Sequence, residues 1–159
     1  MLTKRLEGVP ATLHDRMDRI GDAFREANAG DEGCTFEHLF HAGCYVRTMR
    51  VPKDKVFVSE QMRVATVLIV SGDCAFTDTE TAVRITGYKV LTGAPMRQSI
   101  VRTFEDTVFT AFFATTAKTQ EEAEAEAVFR PDRLLHISKE KNDELCISSD
   151  GRGGGRRCS

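Results

Sequence analysis

Apolar side chains in the first thirty residues recur at helical spacing. They follow one another at steps of four and three: Leu13, Met17, Ile20, Phe24 and Ala27. This spacing places them on one face of a helix. Pro10 suits a first helical turn, and Asn28-Ala29-Gly30 supplies a stop signal. The pattern predicts an amphipathic helix over about 11–28 that docks on the rest of the chain or on a neighbour.

From residue 45 the period changes to that of strands. Alternating or continuous apolar runs rich in β-branched residues predict strands at 45–51, 56–58, 64–70, 74–77, 82–85, 88–91, 99–102 and 107–113. Turn signals separate these runs, among them Pro52-Lys53-Asp54-Lys55 and Ser71-Gly72-Asp73. Short strands at this spacing are typical of an all-β sandwich or barrel.

The C-terminal part returns to helical and then polar sequence. Thr119 followed by Glu121 and Glu122 predicts an N-capped helix near 120–129, which Pro131 ends. The segment 148–159 is rich in glycine and arginine and predicts a flexible tail. This tail is either an unstructured terminus or a grip for a phosphate or an acidic surface. We therefore divide the chain into an N-terminal helical arm (1–32), a strand domain (33–118) and a C-terminal helix with its tail (119–159).

Composition narrows the function classes. The 159 residues carry 22 Lys and Arg against 24 Asp and Glu, a net charge of −2, which argues against a specific nucleic-acid partner. No apolar run is long enough to predict a membrane span. No two of the cysteines have CxxC spacing: Cys34, Cys44, Cys74, Cys146 and Cys158. The odd count and the spacing favour reduced thiols over a zinc ribbon or a disulfide framework.

Several short sequence segments of the strand region resemble those of a known family. They are the stretch from Phe36 to Arg47, the turn Val51-Pro52-Lys53, the strand end Ile69-Val70-Ser71-Gly72 and the strand entry Glu105-Asp106-Thr107-Val108-Phe109. Together they resemble the small cupin-like proteins of tailed bacteriophages and prophages over about residues 35–115. The resemblance implies a cupin-like double-stranded β-helix, or jelly roll, folded over a central pocket.

In that family the pocket holds a metal bound by histidines and a glutamate. Aligned on these strand segments, the ligand positions of the family pattern fall on Met62, Ala65, Thr66 and Phe104. None of these side chains replaces an imidazole or a carboxylate as a metal ligand. The resemblance therefore implies a barrel without metal, cofactor or catalytic residues, and a protein that is not an enzyme.

Other candidate residues give weaker signals. His38 and His41 are expected on a loop entering a strand, with side chains on opposite faces, which does not suit a metal pair. Glu60, Glu105 and Asp106 are expected near strand ends, the last two in turn or capping roles. Basic side chains give the barrel a mild positive face, expected to be solvated: Arg47, Arg50, Arg63, Arg84, Lys89, Arg97 and Arg102.

Three functions follow from these observations. The favoured one is a non-catalytic structural or assembly protein of a bacteriophage particle, located in the virion and bound to copies of itself or to other phage structural proteins. The alternative is a metal-free module that binds a small molecule or glycan. Its pocket would be lined by aromatic side chains: Tyr45, Phe57, Phe76, Tyr88, Phe104 and Phe109. The third, a metal-dependent cupin enzyme, is disfavoured by the residues at the ligand positions.

Overall fold

A computed structural model describes residues 4–26, 33–77 and 81–134 of the chain. The glycine- and arginine-rich segment 148–159, Cys146 and Cys158 lie outside the described residues. So does the expected end of the first helix near residue 28.

Strands dominate the described part of the chain. The strands are β1 (Arg5–Leu6), β2 (Thr35–His41), β3 (Cys44–Val51), β4 (Val56–Val58), β5 (Thr66–Thr77), β6 (Ala82–Gly93), β7 (Ile100–Thr103) and β8 (Thr107–Ala114). The helices are α1 (Ala11–Glu26) and α2 (Gln120–Ala127), and a short 3₁₀ turn follows at Pro131–Arg133. The prediction of an all-β fold is confirmed.

The described strands form one sheet in the order β1-β6-β5-β8-β3-β2, antiparallel except for β1 beside β6. On one side, β5 pairs with β6 along its whole length. On the other side, residues 67–71 of β5 pair with β8 and residues 74–77 pair with β7. β7 also pairs with β4. The sheet therefore divides at β5 into two halves.

The two halves enclose a common interior. Buried apolar side chains from all eight strands belong to one cluster, including Leu6 of β1, Phe36 of β2, Phe57 of β4, Ile85 of β6 and Phe109 of β8. The edges of a flat sheet could not share such a cluster, so the sheet must curl around it. Two halves around one interior agree with the jelly roll that the resemblance implies.

The expected turn at Ser71-Gly72-Asp73 is wrong, because β5 runs without a break through it. Gly72 has φ +140°, and a Cβ built there would lie 2.5 Å from Oγ1 of Thr107. It pairs with Gly87, which has φ +70° and lies in the middle of β6. These glycines let both strands bend where β5 changes neighbours. For the same reason the two strands predicted at 82–85 and 88–91 are one strand.

Helix α1 packs against β4 of its own chain. Its fully buried side chain is Met17, and His14 is only 6% exposed, whereas Leu13, Ile20 and Phe24 are half-buried. The buried face is therefore centred further toward His14 than the apolar stripe predicts. The burial of His14 is explained by the polar contacts of its two ring nitrogens. Nδ1 lies 2.8 Å from Oε1 of Gln98, and Nε2 lies 2.8 Å from Nε2 of Gln61.

Helix α2 begins at the predicted cap. The Thr119 side chain accepts a hydrogen bond from the Glu122 backbone N–H, and Glu121 and Glu122 occupy the first turn. Ala123 and Ala127 pack on Tyr45 and Phe113 of the sheet. This second apolar cluster lies beside the main interior. No helix among the described residues is long and apolar enough to cross a membrane.

Candidate functional site: an interior cavity lined by arginines

A semi-enclosed cavity of about 130 Å³ lies inside the curled sheet. Apolar side chains from several strands make up most of its wall: Met49, Phe57, Leu68, Phe76, Val101, Phe109 and Ala111. The polar part of the wall is formed by Arg47, Ser59, Glu60, Arg97, Ser99 and Arg133. Strand alternation explains the apolar part, since every second residue of a strand faces the interior.

Arg97 is the most isolated charge in this wall. The residue is 8% exposed, and within the described ranges its Nη1 has no hydrogen-bond partner. The guanidinium lies against the backbone of Gly93, where an added Cβ would come within 2.4 Å of Nη1. Burial lowers the pKa of Arg97 to about 10, which still leaves it charged at neutral pH.

Arg47 occupies a different environment. Strand pairing places it between His38 of β2 and Ala111 of β8, on the inward face of the sheet. Its guanidinium lies 4.8 Å from the centre of the Phe36 ring, a cation–π contact. Burial lowers the pKa of Arg47, while the nearby Tyr45 and Glu124 oppose this shift. The Glu124 carboxylate therefore partly offsets the charge of Arg47, whereas no carboxylate among the described residues does this for Arg97.

A polar cluster of His38, Tyr45 and Glu124 joins β2 and β3 to α2. The Tyr45 hydroxyl lies 2.6 Å from Nδ1 of His38 and donates to Oε1 of Glu124 at 3.4 Å. Glu124 is 5% exposed and also accepts from Gln120 at 3.0 Å. Burial, and next Glu124, raise the pKa of Tyr45, so the phenol keeps its proton. Such a cluster holds α2 on the sheet.

The four positions of the family's metal pattern do not meet in one site. Met62 lines the cavity, whereas Ala65 and Thr66 line a separate pocket. Phe104 lies below Arg84 and Arg102, whose guanidinium carbons are 4.1 and 5.1 Å from its ring centre. No group of three or more His, Cys, Asp or Glu side chains suited to a metal occurs among the described residues.

The remaining sequence candidates separate in a similar way. His41 is exposed and His38 is half-buried beside Tyr45, so the two do not form a pair. Asp106 accepts a hydrogen bond from the Lys53 backbone at 3.0 Å, which agrees with a turn role. Glu60 is 6% exposed, and its Oε2 lies 3.9 Å from Nε of Arg130.

Half of the expected aromatic lining is present. Phe57, Phe76 and Phe109 line the cavity, and the rings of Phe57 and Phe76 meet Phe109 edge-on at 6.1 and 5.9 Å. Tyr45 belongs to the second cluster, and Phe104 lies below arginines outside the cavity. Tyr88 is 64% exposed.

The expectation of a solvated basic face is wrong for the two arginines that matter most. Arg47 and Arg97 line the cavity, whereas the other basic residues of that set are exposed. The sequence held a signal for Arg47. Arg47 is two residues from Tyr45 and two from Met49 in one strand, so its side chain lies on the same, inward face as theirs. Arg97 lies in the loop before β7, where no period predicts its direction.

The chain is therefore a small, mainly β protein with a candidate binding cavity inside its curled sheet. No family model and no curated protein matches the sequence. The solved structures similar to the chain include cupin-superfamily proteins. One comes from Desulfitobacterium hafniense, with 10% identity over 55% of this chain and 82% of that chain, at a TM-score of 0.45.

Two further structures show the same level of similarity. A cupin-2 domain protein from Shewanella frigidimarina has 11% identity over 60% of this chain and 91% of its own, with a TM-score of 0.43. A predicted oxalate decarboxylase from Thermotoga maritima has 14% identity over 52% and 80%, also with a TM-score of 0.43. At these values the activity of this chain does not follow from its neighbours.

Proposed function

We propose that the protein binds a small organic molecule in the interior cavity, without a metal ion. The observation that carries this proposal is the cavity itself, about 130 Å³ inside a sheet whose other inward side chains are packed. Protein interiors seldom keep a space of this size. An apolar cavity of roughly 150 Å³ binds benzene, which sets the scale of the ligand.

The donor set of the wall supports binding without a metal. Glu60 is its only carboxylate among the described residues, and no histidine or cysteine lines it. Transition metals are bound by imidazole, thiolate or several carboxylates. The aromatic and aliphatic wall instead offers dispersion contacts and desolvation, which an organic ligand uses.

The assembly role in a phage particle stays a prediction. One reason for it was an apolar stripe on a detached arm, and α1 instead buries Met17 against its own chain. The helix therefore needs no partner to cover that residue. Because the cavity is a specific feature of the described structure, ligand binding is the function that we put forward.

The proposal is tested with neutral probes and thermal unfolding of the full chain. We expect toluene and 3-methylbutanamide to raise the unfolding temperature, because a ligand that binds the folded state stabilises it. Ala111→Leu adds three carbon atoms to a side chain of the cavity wall and should abolish the shift. Ala114→Leu changes an exposed residue of the same strand and should keep it.

A shift that is equal in Ala111→Leu and in the wild type would place the probe elsewhere and overturn the proposal. Absence of any shift with both probes would overturn it as well. Because Ala111→Leu could disturb packing, Ala111→Val serves as a milder variant. We expect it to reduce the shift rather than remove it.

A further inference from the structure

Arg97 is buried in the cavity wall, and the described residues offer it no counter-charge. Burial is the one cause that lowers its pKa, and no carboxylate of the described residues contributes to the shift. The neighbouring acid, Glu60, faces Arg130 at 3.9 Å. The hydrogen-bonding potential of Nη1 is also unused within the described ranges.

Such an arrangement destabilises the protein without a ligand. Removing a guanidinium from water costs free energy that an ion pair or hydrogen bonds normally offset. Neither is present for Arg97 among the described residues, although the residue is only 8% exposed. A bound anion would supply both, since a carboxylate accepts two hydrogen bonds from one guanidinium.

We propose that the ligand of the cavity is a small monocarboxylic acid with a branched aliphatic or aromatic body, and that Arg97 binds its carboxylate. This inference rests on the proposed function, because it names the ligand class for the same cavity. The body of the acid would contact Phe57, Phe76 and Phe109. The volume suits an acid of roughly six to nine non-hydrogen atoms.

The other polar groups of the wall define the class further. Ser99 lies two residues from Arg97, and Ser59 accepts a hydrogen bond from its backbone N–H at 3.0 Å. Both serines line the cavity and carry hydroxyl groups that can donate to a carboxylate. Glu60 lies in the same wall and would repel a second carboxylate. The other two arginines of the wall already have acidic partners, Glu124 for Arg47 and Asp22 for Arg133. A monocarboxylate therefore fits better than a dicarboxylate.

Matched acid and amide probes test the inference on the full chain. We expect 3-methylbutanoate and benzoate to bind at least about tenfold more tightly than 3-methylbutanamide and benzamide at pH 7, measured by titration calorimetry. Arg97→Met should remove this preference and leave the amides bound. Arg102→Met, an exposed residue of β7, should keep it.

A second variant displaces Arg97 without removing its charge. Gly93→Ala puts a Cβ where the guanidinium now lies, so we expect it to weaken acid binding at least about fivefold with little effect on the amides. Arg97→Met should also raise the stability of the ligand-free protein, since it replaces an uncompensated buried charge with an apolar side chain. A purely structural arginine would give the opposite sign.

The outcomes separate the two proposals. If amides bind and acids bind no more tightly, the carboxylate assignment is wrong and the cavity proposal stands. If neither acids nor amides bind, both are wrong. A preference for acids that survives Arg97→Met would place the anion at another group and overturn the role of Arg97.

Discussion

The bend of the sheet depends on two glycines, Gly72 in β5 and Gly87 in β6, which lie opposite each other. Both have positive φ, but only Gly72 is enclosed: a Cβ there would meet Thr107 Oγ1 at 2.5 Å and the Asp106 carbonyl at 2.8 Å. At Gly87 nothing lies within 4 Å. We expect Gly72→Ala to lower the free energy of unfolding by about 2–4 kcal/mol. Gly87→Ala should cost only about 1 kcal/mol, from backbone conformation alone.

Urea unfolding of the two variants provides the comparison. The two substitutions have the same chemistry and lie opposite each other in adjacent strands. Equal losses would mean that Thr107 and Asp106 do not restrict the space at Gly72.

Cys74 illustrates how burial controls a single thiol. It is fully buried in β5, and burial, followed by Asp73, raises its pKa to about 12. At pH 9 only about one thiol in a thousand would be ionised. We expect iodoacetamide to modify half-buried Cys44 in the folded protein and Cys74 only in urea, as measured by peptide mass spectrometry. Modification of Cys74 at the rate of Cys44 in the folded protein would contradict this.

The same shift has a consequence for stability. Between the ordinary value of 9.0 and about 12, the folded state keeps a proton at Cys74 that the unfolded state has lost. The free energy of unfolding therefore falls as pH rises through this range.

At the scale of elements, Asp18 links α1 to the loop before β7 and to the segment before the 3₁₀ turn. Its carboxylate pairs with Arg130 and accepts from Nε2 of Gln98 at 3.0 Å. Burial raises the pKa of Asp18, but the hydrogen bonds from Arg130 and Gln98 outweigh it, so the net shift is downward. We expect Asp18→Ala to cost about 1–3 kcal/mol of unfolding free energy at pH 7.

The pH dependence of this loss identifies its cause. Since the folded pKa is lowered, the contribution of Asp18 is complete above the ordinary value of 3.8 and disappears as pH falls through the lower folded value. The difference between wild type and Asp18→Ala should shrink accordingly in acid. Asp15→Ala, an exposed residue of the same helix, should cost little at any pH. A loss that stays constant in acid would point to packing instead.

At the scale of the whole molecule, we expect the purified protein to contain much less than one transition-metal ion per chain. The physical reason is the lack of a suitable donor cluster in the described ranges. Elemental analysis after purification without added metal is the measurement. One tightly held ion per chain would show that residues outside those ranges complete a site.

The expectation of self-association belongs to the same scale. It rests on the resemblance to phage proteins and predicts a mass in solution of more than one 17.7 kDa chain. Light scattering on the sample used for metal analysis would measure it. A mass of one chain at high protein concentration would contradict a homo-oligomer and leave other proteins as partners.

Local sequence patterns predict both helices and most of the strands. The period of Leu13, Met17 and Ile20 predicts α1, which extends over Ala11–Glu26. Thr119 and the acidic residues after it predict the start of α2. Alternation predicts most of the strands. Each of these signals lies within a few neighbouring residues, where helix and strand geometry dictate which side chains share a face.

The bend of β5 and the burial of charged side chains in the interior depend instead on contacts between distant parts of the chain. Gly72 resembles a turn residue in sequence, yet its neighbours are Asp106 and Thr107, more than thirty residues away. Arg97 resembles a surface residue, yet the packing of its loop against Gly93 buries it. Burial depends on contacts between distant segments, and local propensity does not contain them. The candidate site therefore emerged from strand pairing and loop packing rather than from any motif.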